Sequence, residues 1–340
     1  MIKLVYDIAA ESGGAITILD SYYENAKADI NNNYVFFVSQ KKYINQKNIV
    51  VLCFPWVKKS WLHRLYFDLI FSKKEMRKFE FDSVISLQNA LVPHTNKEQV
   101  VYFHNSLFIS KYKINILLNP KLWFYKNVYS QYVFYSLKKA KTIIVQAKWI
   151  CDILAKKLSL DESRIHVKKP FLTWTNDFSG YSISKIAHDS IIVFFYPSSP
   201  VEFKNIKLII NSMKKVSKNL YRYIKILITV NPNDNHITKK MFTDITNNKL
   251  PIEFIGYISK KDVYNIYVQS TLIFPSLVES APLPLIEAAH LNRDIIVSNL
   301  PYAVEMLDGY KNVKYFNPNS SGELSWIISK YVELRLKSRA

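Results

Sequence analysis

The chain has 340 residues, 49% of them hydrophobic, enough for two domains of ordinary size with a core in each. Its 46 Lys and Arg against 27 Asp and Glu give a formal net charge of +19. No uncharged apolar run reaches the roughly 18 residues a spanning helix needs, so no transmembrane segment is expected. MIKLVYDIA runs directly into a strand pattern, and no secretory leader is expected. Cys53 and Cys151 lie far apart without metal-type spacing. They read as small buried hydrophobes of a reducing cytoplasm.

In chain order, short apolar strands alternate with longer amphipathic segments, the βαβ pattern of a parallel sheet. IKLVYDI, VFFVS, IVVLCF, SVISL, QVVYF and TIIVQ read as strands of a first domain over residues 1–175. Helices are predicted at about 62–79 and 122–137. Residues 171–189 lack a sustained period and suit an interdomain linker. The pattern restarts over 185–320 with IIVFFYP, a helix near 205–217 and IKILITV. Then follow IEFIG, a helix near 260–269, TLIFP, a Glu-bearing helix, IIVS and VKYF. A final amphipathic helix is expected over 321–336.

The densest signal is FPSLVESAPLPLIEAAHLNRDIIVSNLPYAVEML, residues 274–307. TLIFP reads as a buried strand, SLVESAPLP as a loop, and Pro282 and Pro284 suit a first helical turn. Glu279 then falls in the strand-to-helix loop and Glu287 about one turn into the helix. Acidic residues near a helix start are common, because they favour the macrodipole by roughly 0.3–1 kcal/mol each. Two of them framing a proline-containing loop are harder to dismiss. At the other end of the chain, Gly13 and Gly14 follow the opening strand in ESGGAI and permit a tight turn. The chain has only six glycines, yet the pair alone would serve any strand-to-helix turn.

The 274–307 segment resembles the E-x7-E signature of retaining glycosyltransferases of the GT-B fold, in particular family 4 members that build bacterial surface polysaccharides. The resemblance implies an α/β fold of two Rossmann-like domains with parallel sheets facing across a cleft. It also implies that the terminal helix, 321–340, packs back on the first domain. By the same resemblance Glu279 contacts the donor sugar, and Glu287 holds the ribose hydroxyls of the nucleotide. Gly13 and Gly14 approach the diphosphate and the acceptor. Lys204, in YPSSPVEFKNIKLII, neutralises the diphosphate, and Asn205 is placed to cap the next helix. His104, ending QVVYFHNSL, contacts sugar or acceptor without having to be a general base. Gly256 and Tyr257 form a turn around the nucleobase, and the Ala281 and Leu283 amides remain available to an anion. Ser198 stands where family members usually carry Arg, and Pro282 where they often carry Gly. Each departure removes a phosphate partner.

The sequence contains no D-x-D, so no metal cofactor is expected, and the nucleotide-diphosphate sugar is a substrate. G-x-S-x-G, H-E-x-x-H and clustered Cys/His sets are likewise missing from the sequence. The expected function is retaining transfer of a hexose-type sugar to a growing, lipid-linked glycan such as O-antigen or capsule. Two alternatives stay open: a nucleotide-sugar epimerase on the same fold, and a non-catalytic binding or scaffold protein. Between Glu98 and Asp152 there is no acidic residue, yet there are eight lysines and many aromatics. An anionic membrane surface at the cytoplasmic face is the expected partner, set against plain compositional drift. No RNP, zinc-finger or helix-turn-helix signature supports a nucleic-acid partner.

Overall fold

The computed structural model describes residues 1–11, 13–169 and 191–338. Contacts divide the chain into two compact units, Met1–Phe171 and Leu172–Ala340. The expected linker at 171–189 and Ser12 of ESGGAI lie outside the described residues.

The first unit is a parallel sheet of seven strands: β1 (Ile2–Asp7), β2 (Asn33–Val38), β3 (Ile49–Cys53), β4 (Ser83–Ser86), β5 (Glu98–Phe103), β6 (Thr142–Val145) and β7 (Ile165–Val167). Their order is β3-β2-β1-β4-β5-β6-β7. β1 is central, pairing Leu4 with Val35 on one side and with Val84 on the other. Its residues from Leu4 to Asp7 are buried, as a strand covered on both faces requires. Tyr23 of α1 (Gly13–Ala28) packs edge-on against Phe36 of β2 on one face. On the other face Phe37, Phe54 and Phe67 pack in succession, edge-on and then tilted, with ring centroids 5.4 and 4.9 Å apart.

The second unit repeats the plan with β8 (Ile192–Tyr196), β9 (Ile224–Ile228), β10 (Ile252–Phe254), β11 (Thr271–Phe274), β12 (Ile295–Ser298) and β13 (Val313–Phe316). The order β10-β9-β8-β11-β12-β13 again puts the first strand in the middle. In both sheets the chain reverses its winding beside that strand. The loops there splay apart at the carboxyl ends, where open α/β sheets bind ligands. Thus two nucleotide-type halves are present although the sequence contains no visible repeat.

Within the second unit, α12 (Ser321–Lys337) closes the fold. It lies along α7 (Ile206–Met213) and β13, with Leu324, Ile328 and Val332 buried. The Tyr331 hydroxyl donates to Asp294 at 2.6 Å and meets the Thr271 hydroxyl at 2.7 Å. Arg335 pairs with the same Asp294. A wholly apolar seam would tolerate sliding; this polar clamp fixes the helix in register against the start of β12.

Candidate functional site

At the switch point of the second sheet, two loops hold Ser198, Lys204 and Glu279. The loop after β8 runs through Ser198 to Lys204. The loop after β11 runs through Glu279 to Pro282, which caps α10 (Leu283–His290). Lys204 Nζ donates to Glu279 Oε1 at 2.5 Å, with the two side chains 20% and 13% exposed. Backbone ties fix this pair. The Leu277 N–H donates to the Phe203 carbonyl at 2.8 Å, and the Tyr196 hydroxyl donates to the Lys204 carbonyl at 2.9 Å. Tyr302, on α11 (Pro301–Met306), donates to the Ser276 carbonyl at 2.6 Å. An ammonium offers three donors and the Glu279 bond uses one of them.

Asn205 does not cap α7 with its side chain. It sits in the left-handed region at φ 57°, and its amide donates to the Pro275 carbonyl at 3.2 Å and the Pro318 carbonyl at 3.1 Å. It therefore ties the Lys204 loop to the Glu279 loop and to the segment leading into α12. Asn205→Ala should lose both bonds and, with them, the polar side chain that makes the left-handed region tolerable for Asn, destabilising by about 2–4 kcal/mol. Asn205→Gly should recover only the conformational part. Denaturant melts of both variants measure the difference, and equal losses would show that strain contributes nothing.

Glu287 lies on α10 one turn in, as the spacing predicts, but it faces protein and is 7% exposed. The Tyr264 hydroxyl donates to Oε1 at 3.1 Å and the Tyr267 hydroxyl to Oε2 at 3.4 Å, both from α9 (Lys260–Tyr267). Burial raises its pKa, partly offset by the Tyr264 bond, the Lys260 charge and the Tyr267 bond. Neither tyrosine was singled out by sequence reasoning, although their i, i+3 spacing on one helix face is legible.

The remaining predicted residues of this unit surround the same edge. Ser198 is clasped by Thr229, whose hydroxyl accepts the Ser198 N–H at 2.7 Å and donates to its carbonyl at 3.0 Å. Gly256 adopts φ 70°, which favours glycine, and donates its N–H to the Val230 carbonyl at 3.0 Å. Tyr257 is 95% exposed, so its ring contributes nothing to the packing of the unit. Ala281 is partly exposed in the loop. Leu283 opens α10, where the first amides of a helix have no partner within the helix and favour an anion.

The carboxyl edge of the first sheet carries the other predictions. Gly13 opens α1 at φ 59°, and a Cβ at either Gly13 or Gly14 would meet nothing within 4 Å among the described residues. Backbone conformation explains Gly13; Gly14 simply leaves open space. His104 follows β5, and burial pulls its pKa down to about 4, so the ring is neutral near pH 7. It can exchange hydrogen bonds there but supplies no fixed positive charge. Asn89, at φ 68°, accepts the N–H groups of His104 at 2.8 Å and Asn105 at 3.0 Å through one oxygen.

Sequence reasoning missed Asp7, at the end of β1, whose carboxyl accepts the Ala10 N–H at 3.0 Å. Burial raises its pKa to about 7, against the lowering effect of that bond and of Arg64. It also missed Arg64, which bonds Asp68 at 2.6 Å and Gln88 at 2.5 Å, while Tyr6 donates to Asp68 at 2.8 Å.

Cys151, Asp152 and Glu162 also come within 4.8 Å of one another. Lys148 already pairs with Asp152 at 2.6 Å and Glu162 at 3.8 Å, so the two carboxylates have a cation at hand. Burial raises the Cys151 thiol, away from the thiolate a metal needs.

Residues 182–340 match the family described as glycosyl transferases group 1. The match covers nearly all of the second unit. The group 1 match contains both members of the Lys204–Glu279 pair and Glu287.

Among curated proteins, the O-antigen chain mannosyltransferase RfbU of Salmonella typhimurium is 24% identical over 243 residues, 69% of this chain. The match spans 65% of that relative's length. Solved structures of similar fold include a glycosyltransferase from Rickettsia africae, at TM-score 0.67 and 18% identity over 98% of this chain and 88% of that one. Anabaena HepE, crystallised with UDP-glucose, gives TM-score 0.73 and 15% identity over 99% and 91% of the two chains. WaaG, a glycosyltransferase involved in lipopolysaccharide biosynthesis, gives TM-score 0.74 and 12% identity over 99% and 92%. These likenesses establish the GT-B fold, two Rossmann-like α/β units with parallel sheets.

Proposed function

We infer that this protein is a glycosyltransferase that moves a sugar, with retention, from a nucleotide-diphosphate donor to a growing polysaccharide. The observation that carries the reading is the Lys204–Glu279 pair at the switch point of the group 1 domain. Departure of a nucleoside diphosphate builds negative charge on its terminal phosphate. A positioned ammonium and the N-terminal amides of α10 stabilise that charge more than they stabilise the bound donor. No metal is required of such a site, because Lys204 and backbone dipoles supply the positive charge. Glu279 releases Lys204 to the diphosphate and turns its carboxylate to the hydroxyls of the sugar. Glu287, held between two tyrosines, keeps lone pairs for the ribose hydroxyls, and the Gly256–Tyr257 turn borders the base.

In retaining transfer the departing phosphate takes the acceptor proton on the same face, so no protein base is needed. The neutral ring of His104 suits a hydrogen-bonding role toward sugar or acceptor, and Gly13 and Gly14 give the acceptor side room. O-antigen assembly is the context that the relatives' names support; capsule assembly, a lipid-linked acceptor and a place at the inner face of the cytoplasmic membrane belong to the proposal itself.

A second reading, a non-catalytic binding protein, is favoured by Ser198, where a second phosphate-binding cation is lacking. Incubation with a panel of UDP-, GDP- and dTDP-sugars, scored for nucleoside diphosphate release with and without membrane extract as acceptor, separates the two. Turnover of one donor is expected. Donor binding without turnover would favour the second reading, and no binding at all would sink both.

A further inference from the structure

More than half of the exposed large hydrophobic side chains among the described residues belong to two segments of the first unit, 61–70 and 116–135. In a folded domain such side chains are normally scattered singly, and their concentration in one region needs a partner. The first segment is a continuous helix: α2 (Trp61–Tyr66), a π-turn Phe67–Phe71, and α3 (Ser72–Met76). The second has the same construction, with α4 (Pro120–Phe124), a π-turn Tyr125–Tyr129 and α5 (Ser130–Lys139). Each helix buries one side, through Phe67 and Met76 in the first and Val133 and Leu137 in the second. The opposite side is apolar too: Trp61 is 68% exposed, Leu62 65% and Ile70 60%, and Leu117, just before α4, is 88% exposed.

The two helices are tied to one neighbourhood of the first unit. Arg64 of the first donates to Gln88 at 2.5 Å, beside Asn89, which accepts the Asn105 N–H at 3.0 Å, and the Asn105 amide donates to the Tyr125 hydroxyl of the second at 3.0 Å. Both helices turn exposed apolar side chains outward near that point. The charge around them has a single sign. The acidic residues between Trp61 and Phe79 are Asp68 and Glu75, and each is engaged, Asp68 by Arg64 and Glu75 by Lys78. No acidic residue occurs from Tyr112 to Lys139. Lys59, Lys73, Lys74 and Arg77 flank the first helix in solvent, and Lys121, Lys138 and Lys139 flank the second. Lys141 is less free to act, since it pairs with Glu98.

We propose that these paired helices form a docking face that inserts Trp61, Leu62, Ile70 and Leu117 into the interface of an anionic lipid bilayer. This deepens the membrane-side part of the proposed function and rests on it only for the acceptor. The composition distinguishes the occupant. A protein partner or a second copy of the chain would be met by an apolar core with both signs of charge at its rim. A bilayer is met by apolar and aromatic tips sunk a few ångströms and a uniformly basic border at the phosphates. Lysine stems lengthen that border by carrying their ammonium groups up to the headgroups while the methylenes stay low.

Sedimentation of the full chain with vesicles of phosphatidylcholine and phosphatidylglycerol tests this directly. Wild type should bind at low salt, weaken with added salt, and bind pure phosphatidylcholine poorly. The double variant Leu62→Glu/Ile70→Glu, at solvent-facing positions, should bind at least about tenfold more weakly while keeping its thermal stability. Charge reversal at Lys138 and Lys139 should reduce binding and its salt dependence together. Binding of UDP or GDP should be unchanged in every one of these variants, so loss of nucleotide binding in wild type would refute the transferase reading and leave the docking face standing. The proposal is overturned if the double variant sediments like wild type. It is equally overturned if wild type is a dimer in size-exclusion chromatography that the same two substitutions dissociate, for the face would then be an interface between copies.

Discussion

Replacing Lys204 or Glu279 by Ala is expected to abolish most sugar transfer, by about 10²–10³-fold in kcat/KM for each, but through different steps. Lys204→Ala removes the side-chain cation of the diphosphate site and should weaken binding of the free nucleoside diphosphate together with turnover. It also leaves Glu279, only 13% exposed, without its 2.5 Å partner, so a loss of thermal stability should accompany the loss of activity. Glu279→Ala frees the ammonium from its internal competitor. Nucleoside diphosphate should then bind as tightly as before or tighter, while transfer collapses because the sugar hydroxyls have lost their carboxylate. Since both act on one bound donor, the double variant should be no worse than about the poorer single one. Calorimetric titration with UDP or GDP, alongside initial rates, resolves these outcomes. If both single variants lose nucleotide binding equally, the pair is a structural clamp.

The readability of this site follows from how local each feature is. Glu279 and Glu287 were visible because strand, loop and helix are contiguous, and their spacing fixes where each falls. Two parallel sheets were legible for the same reason, from buried apolar strands separated by amphipathic segments. Asn205 was misread. A residue before a helix suggests a cap, but the carbonyls of Pro275 and Pro318 converge on its amide, and they come from distant parts of the chain. The amphipathic stripe of the terminal helix says that a face is buried, never against what. Asp294, Thr271 and Tyr331 supply that answer only once folded. β7 is too short for a period, with Ile165 alone buried. α8 (His236–Asn247) begins on a capping box of Asn235 and Thr238, a variant of the usual Ser/Thr and Glu pairing, and was passed over. The basic, aromatic half of the docking face was legible between Glu98 and Asp152. The half at 61–70 was not, because only the fold turns Phe67 inward and Leu62 and Ile70 outward.

Glu287 should reveal its purpose through opposite effects of Glu287→Gln on stability and on binding. Burial raises the native pKa of this carboxyl, so the folded protein holds the proton to a higher pH than the unfolded chain does. Its contribution to stability is then fully present below the unfolded pKa, near 4.3 for a Glu, and is lost as pH rises through the native value. Gln cannot ionise and escapes that loss. Its carbonyl still accepts one tyrosine bond, and its amide can donate to the other hydroxyl. The stability of Glu287→Gln relative to wild type should therefore improve as pH rises above the unfolded pKa and level off once it passes the raised native one, as thermal melts across pH would register. Nucleotide binding should move the other way. Ribose hydroxyls that donate to a carboxylate make charge-assisted bonds about twice as strong as those to an amide, so affinity for UDP or GDP should fall about tenfold or more near neutral pH. A stability difference that is flat with pH would show that Glu287 ionises as freely in the fold as outside it. Unaltered affinity would mean the carboxylate serves only Tyr264 and Tyr267. The expected pair of results would instead mean that the fold tolerates a costly buried charge because the nucleoside requires it.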